Sequence, residues 1–204
     1  NAFASIYEGR YLAGVAAGLK LKAMIDAGEI TAAEAKMGYV GAFTYAEVIS
    51  GYTSFYLGAK SIVPEVTMDV QFTGSWYDEN AERATANALI NGGCVLISQH
   101  ADSMGAPSAC EDKGIPNISY NGSTQEHCPN TFIVSSRINW APYFQYIVNQ
   151  VANGEAIATD WTGTIATGSV VLTDINEAAA AAGTVEAIAD VKAKLEKGEI
   201  KVFD

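Results

Sequence analysis

The chain has 204 residues, 49% hydrophobic and 17% charged, which supports one large domain or two small ones and excludes a disordered chain. Its formal net charge of −11 argues against a nucleic-acid partner, because a phosphate backbone calls for clustered Lys and Arg. No apolar run reaches the ~18 residues of a membrane-spanning helix.

In chain order, the opening NAFASIYEGRYLAG reads as entry into a helix over 6–27. Ser5-x-x-Glu8 fits a capping box, and Tyr7, Tyr11, Leu12, Val15 and Leu19 follow at helical spacing. A strand is predicted at 36–43, then an amphipathic helix at 46–62 through Val48, Tyr52, Phe55 and Ala59. A strand at 66–73 precedes a helix at 79–92, stopped by Gly92-Gly93. CVLIS at 94–98 is a continuous apolar strand, followed by a short helix at 104–113. Strands at 116–120 and 131–136 lead to a helix at 139–153 that ends at Gly154. A strand at 169–174, a helix at 184–197 and a last strand at 199–203 complete the chain. In that last helical stretch Lys192, Lys194 and Lys197 interleave with Glu186, Asp190 and Glu196, the pattern of a solvated face rather than a basic patch. Cys94, Cys110 and Cys128 lack CxxC or zinc spacing and read as buried small hydrophobes.

Alternating strands and helices, with strands that are apolar rather than alternating, indicate an α/β fold with a parallel, doubly wound sheet. Residues 36–136 supply enough strands for one complete α/β lobe. Residues 1–35 and 137–204 read as parts of an incomplete second lobe, with Leu12, Val15 and Leu19 left exposed, and the abrupt start reads as a piece of something longer.

Ligands of open parallel sheets bind beyond the carboxyl ends of the strands. Those ends carry Phe43, Tyr45 and Glu47; then Trp76; then Gln99, His100, Asp102 and Ser103; then Tyr120 and Asn121; then Asn139 and Trp140. The opposite ends are plainer. Aromatics with amides and carboxylates suit a flat, heteroatom-bearing ligand. A phosphate cradle is absent, with neither GxxxxGK[ST] nor GxGxxG after a strand. His100, Asp102 and Ser103 superficially suggest a hydrolytic triad, but residues so close on one loop rarely face each other and no GxSxG elbow exists.

YEGRYLAGVAAG, KMGYVGAF, EVISGYTSFYLGAKSIVPEV, GSWYDENAE, QHADS, ISYNGS and SSRINWAPYF together resemble the basic membrane protein family, in the family's order along the chain. These are substrate-binding lipoproteins of ABC transporters, similar to purine nucleoside receptors. The resemblance implies a type I periplasmic-binding-protein fold with a purine base or nucleoside held between two lobes. It implies an extracytoplasmic receptor with an ABC permease as partner, no cofactor and no enzymatic activity, and a membrane link only through a lipid anchor outside this sequence. Trp76 falls where the family has the Phe of a GSFxD turn that stacks on the purine. Asn121 falls where many members have an Asp that binds ribose hydroxyls, and Asn139 near a Lys that reaches the sugar. These neutral replacements, and QHADS in place of a Gly-rich loop, resemble a branch that takes a free base such as adenine. The competing readings are a ligand-sensing regulator on the same fold, and an α/β enzyme acting on nucleosides through His100, Asp102 or Glu47.

Overall fold

The computed structural model describes residues 1–203. Its elements are β1 (Ala2–Ala4), α1 (Ile6–Asp26), β2 (Lys36–Gly41), α2 (Ala46–Lys60), β3 (Thr67–Phe72), α3 (Glu79–Asn91), β4 (Leu96–His100), α4 (Gly105–Lys113), β5 (Asn117–Tyr120), β6 (Phe132–Ile138), α5 (Ala141–Asn153), β7 (Trp161–Gly163), β8 (Val170–Leu172) and α6 (Thr184–Glu196). A six-stranded sheet runs in the order β3-β2-β4-β5-β6-β8. Its first five strands are parallel, and β8 closes the edge antiparallel to β6. β1 and β7 form a separate two-stranded parallel ribbon. The parallel sheet follows from its sequence: β4 is buried along its whole length, whereas β3, at the edge, alternates and exposes Thr67, Asp69 and Gln71.

One face of the sheet is covered by α1 and α2, which cross at backbone contact. A Cβ on Gly14 would overlap the Phe55 carbonyl oxygen, and one on Gly58 would overlap that of Tyr11. The other face carries α3 and α4 over a smaller core of Val40, Leu89, Ile97, Ala106 and Cys110. All three cysteines are free and buried, as their surroundings in the sequence predict.

Arg10 lies in the centre of the larger core and is wholly buried. Nη2 donates to Ser98 Oγ at 2.5 Å, and Nη1 to the Ser119 carbonyl at 3.2 Å and to Ser136 Oγ at 3.3 Å. The guanidinium packs beside the paired rings of Tyr39 and Phe55, 5.2 and 5.0 Å from their centroids. One side chain of α1 thus ties together β4, β5 and β6.

Several expectations need correcting. The helix α1 does not stand apart: it shares a core with the sheet, and Leu12 and Val15 are buried. β8 also returns to this sheet, and α6 packs on α1 with Ile188 in the same core. The exposed apolar face is on α5, where Phe144, Val148 and Val151 are each more than half exposed and no residue of the helix is buried. Ser5 makes no side-chain cap; Glu8 instead accepts the Ile165 N–H at 2.7 Å, a tertiary contact that outcompetes the local one. A capping box does form at Thr31 and Glu34. Residues 199–203 form no strand, and Phe203 packs on Tyr7 with ring centroids 5.2 Å apart. β4 starts at Leu96 rather than Cys94, because its pairing with β2 begins at Met37↔Leu96. β1 and β7, three residues each, are too short to produce a periodic signal.

Gly14→Ala is expected to lower the unfolding free energy by about 3 kcal/mol in urea titration, since the overlap is with backbone that has no rotamer to move. A loss of a few tenths would show that the α1–α2 crossing is looser than its contacts imply.

Candidate functional site

The carboxyl ends of β2, β3, β4 and β5 meet at one edge of the sheet. Backbone hydrogen bonds pin the loops there to one another: Gly74 N–H to the Ala42 carbonyl, Asp102 N–H to the Trp76 carbonyl, and Asn121 N–H to the Ser136 carbonyl, all at 2.9 Å. Glu82, buried at the start of α3, accepts the N–H groups of Asp78 and Ser103, both at 3.2 Å. Burial raises the Glu82 pKa against the pull of those donors. Asn121 adopts a left-handed backbone with φ of 61°, which Asn tolerates better than most residues.

On this frame stands a wall of rings. Phe43 stacks on Tyr45 with centroids 5.1 Å apart, and Trp76 meets Phe43 edge-on at 5.4 Å. Trp76 is half-buried and Tyr45 is 57% exposed, so the wall faces solvent. Opposite polar groups complete the edge. Asn121 Nδ2 donates to Asp102 Oδ1 at 3.4 Å, and both residues are exposed. Glu47, partly exposed, places Oε1 3.7 Å from His100 Nε2. His100 lies beneath, wholly buried, with its ring 4.2 Å from that of Tyr120 and Nδ1 3.3 Å from the Tyr39 hydroxyl. Burial pushes the His100 pKa down. The donors beside Glu47, His100 first and then the Tyr120 hydroxyl, hold its carboxyl below the ordinary value despite partial burial. The edge therefore presents acceptor-only carboxylates beside a hydrophobic ring wall.

Phe43, Tyr45, Glu47, Trp76, Asp102 and Asn121 come together at this edge, with His100 below it as support. The remaining candidates do not. Gln99 points to the opposite face, where its Oε1 accepts from Asn117 Nδ2 at 3.0 Å, because neighbouring strand residues alternate faces. Ser103 is buried, and its Oγ accepts the Gly105 N–H at 3.1 Å, which also removes the triad reading. Asn139 is occupied elsewhere, donating to the Gly168 carbonyl in the segment before β8 at 3.0 Å and accepting the Ala141 N–H at 3.2 Å. Trp140 packs near Tyr143 at the start of α5. Arg10, Tyr39 and Glu82 lie under the edge yet were not candidates, since nothing local distinguishes them from core positions of a helix or strand.

Residues 2–203 match the family described as ABC transporter substrate-binding protein, PnrA-like. A protein of Haloferax volcanii, TsgA13, whose name assigns it to glucose binding for an ABC transporter, is 32% identical over 163 residues, covering 80% of this chain and 39% of its own length. A purine-binding protein of Brucella abortus, BAB2_0673, is 34% identical over 141 residues, covering 69% of this chain and 37% of its own. The chain thus spans about two fifths of the length of these relatives. An ABC-transporter solute-binding protein of Conexibacter woesei superposes with a TM-score of 0.76 at 20% identity, covering 100% of this chain and 66% of that one, which shows the fold.

The depressed His100 pKa has a sign that can be checked. A histidine whose folded pKa lies below its unfolded one contributes stability above the unfolded value of ~6.5, and that contribution is lost as pH falls through the folded pKa. The urea midpoint is therefore expected to fall between neutral pH and pH ~5.5, and His100→Gln to flatten that slope. An unchanged slope in the variant would place the acid sensitivity elsewhere.

Proposed function

Because the chain belongs to the Bmp family, the PnrA-like substrate-binding proteins of ABC transporters, we propose that it is ligand-binding sequence of an extracytoplasmic receptor that delivers a purine base or nucleoside to an ABC importer. The family and fold are those of solute-binding proteins, which are not enzymes. No helix among the described residues is long and apolar enough to cross a membrane. A lipid anchor outside this sequence and a permease partner complete the proposal. The ligand-binding lobe is 36–136 extended by α1, β8 and α6, with α5, β1 and β7 assigned to the other lobe.

The observation that carries the ligand reading is Trp76. It stands half-buried at the carboxyl edge of the sheet, joined to Phe43 and Tyr45 as an aromatic wall, with Glu47, Asp102 and Asn121 alongside. A purine offers a flat π-face to such a wall and edge N–H groups to the carboxylates. The purine-binding relative supports this reading. A sugar is the competing ligand, favoured by the name of TsgA13, since rings and carboxylates also hold pyranoses.

Calorimetric titration with adenine, adenosine, guanosine, inosine and glucose separates the two. Binding of a purine but not of glucose is the expected result; binding of glucose alone would overturn the ligand reading and leave the family assignment in place. Trp76→Ala is expected to weaken purine binding about tenfold or more, the worth of one base–aromatic stack. Unchanged affinity would return Trp76 to the core.

A further inference from the structure

His100 is wholly buried and so touches no ligand in this arrangement, yet its Nε2 has no hydrogen-bond partner. Such an atom is costly unless it serves something close by. Glu47 Oε1 is at 3.7 Å, on a side chain that reaches the open edge. Which ring nitrogen carries the proton decides what His100 does to that carboxylate.

The surroundings answer this. Nδ1 faces the Tyr39 hydroxyl at 3.3 Å. Burial raises the Tyr39 pKa, so the phenol keeps its proton. Of its other polar neighbours, Arg10, whose guanidinium lies 5.2 Å from the ring centroid, only donates, and Glu47 and Tyr52 act on the phenol through charge without a hydrogen bond to its hydroxyl. The phenolic proton therefore goes to Nδ1, which must accept, and the imidazole proton sits on Nε2. The ring is also held in place from α2: a Cβ at Gly51 would stand 2.7 Å from Nδ1. The remaining ionisable groups near the ring are Glu47 on α2, Asp102 after β4 and Tyr120 on β5. Of these, Glu47 stands against Nε2, and the hydrogen bond at Nδ1 is with Tyr39.

We infer that Arg10, Tyr39 and His100 form a buried positioning relay that directs the Nε2 proton at Glu47, and that the carboxylate so held selects purines presenting an amino group, as adenine does, over those presenting a carbonyl oxygen there, as hypoxanthine does. An ionised carboxylate held by donors behind it offers only acceptor lone pairs in front. It pairs with an exocyclic amine and repels an exocyclic oxygen. Leaving a buried or partly buried polar group unpaired is what gives such sites their discrimination. The specificity half of this inference rests on the purine reading above; the relay itself does not.

Two measurements test it. Heteronuclear NMR of nitrogen-labelled histidine reads the tautomer directly, and the spectrum is simple because the chain has two histidines, His100 and His127, the second assigned by His127→Asn. A proton on Nε2 of His100 is expected, shifting toward a mixture in Tyr39→Phe; a proton on Nδ1 in the native protein overturns the relay whatever the protein binds. Titration with adenine and hypoxanthine then reads the selection. Adenine is expected to bind about a hundredfold or more tighter, and Tyr39→Phe to cut that ratio about tenfold. Equal binding of the two bases, or a ratio unmoved in Tyr39→Phe, overturns the selection. An Nε2 proton with binding of neither base supports the relay and overturns the purine reading, so the two failures are distinguishable.

Discussion

A single buried cation organises this fold. Arg10 projects from α1 into the larger core, and its hydrogen-bond partners are neutral oxygens on three consecutive strands of the sheet: Ser98, Ser119 and Ser136. Desolvating a guanidinium is expensive, and here the cost is offset by those hydrogen bonds and by the faces of Tyr39 and Phe55 rather than by a carboxylate. The result is directional. Hydrophobic contact alone would let α1 slide along the sheet, whereas a planar donor group with fixed partners sets one register. Gly9, the residue before Arg10, serves the same end by letting α1 settle on the strands: a Cβ there would stand 2.8 Å from Val170 Cγ1 and 3.2 Å from Ser136 Cβ.

From that centre, order propagates to the carboxyl edge. Tyr39, against which Arg10 packs, hydrogen-bonds His100, and His100 approaches Glu47 at the surface. On the other face Glu82 clasps the loops that carry Trp76 and Asp102, and the backbone bond between those loops keeps them together. The exposed rings and carboxylates thus stand on groups that are themselves fixed, as preorganised binding requires.

α5 is the counterexample within the same chain. Its sequence is amphipathic, and its helix is regular from Ala141 to Asn153, yet Phe144, Val148 and Val151 face solvent. Periodicity reports that a face is apolar; it does not report what covers it. α1 differs already in sequence: its run from Leu12 to Gly18 is wholly small or apolar and is buried throughout, whereas α5 keeps its apolar residues to one face.

The order of strands and helices was legible because each element carries a local cause: apolar strands, helical spacing, and glycines that stop α3, α4 and α5. The carboxyl edge was legible for a similar reason, since parallel strands bring their ends together whatever their order. The sequence by itself therefore determined the α/β class and the aromatic and acidic residues that lie at the carboxyl ends of the strands. Tertiary structure alone decided which residues at those ends stay exposed along the edge. Gln99 turns away while Asp102 does not, Ser103 spends its hydroxyl on its own turn, Asn139 donates to the distant Gly168 carbonyl, and His100 sinks beneath Glu47. It also decided that Arg10 and Glu82, unremarkable in sequence, hold the edge in place. The reason is physical: hydrophobic periodicity is a property of neighbours along the chain, but the partner of a buried polar atom is whatever the folded chain brings to it, often about a hundred residues away.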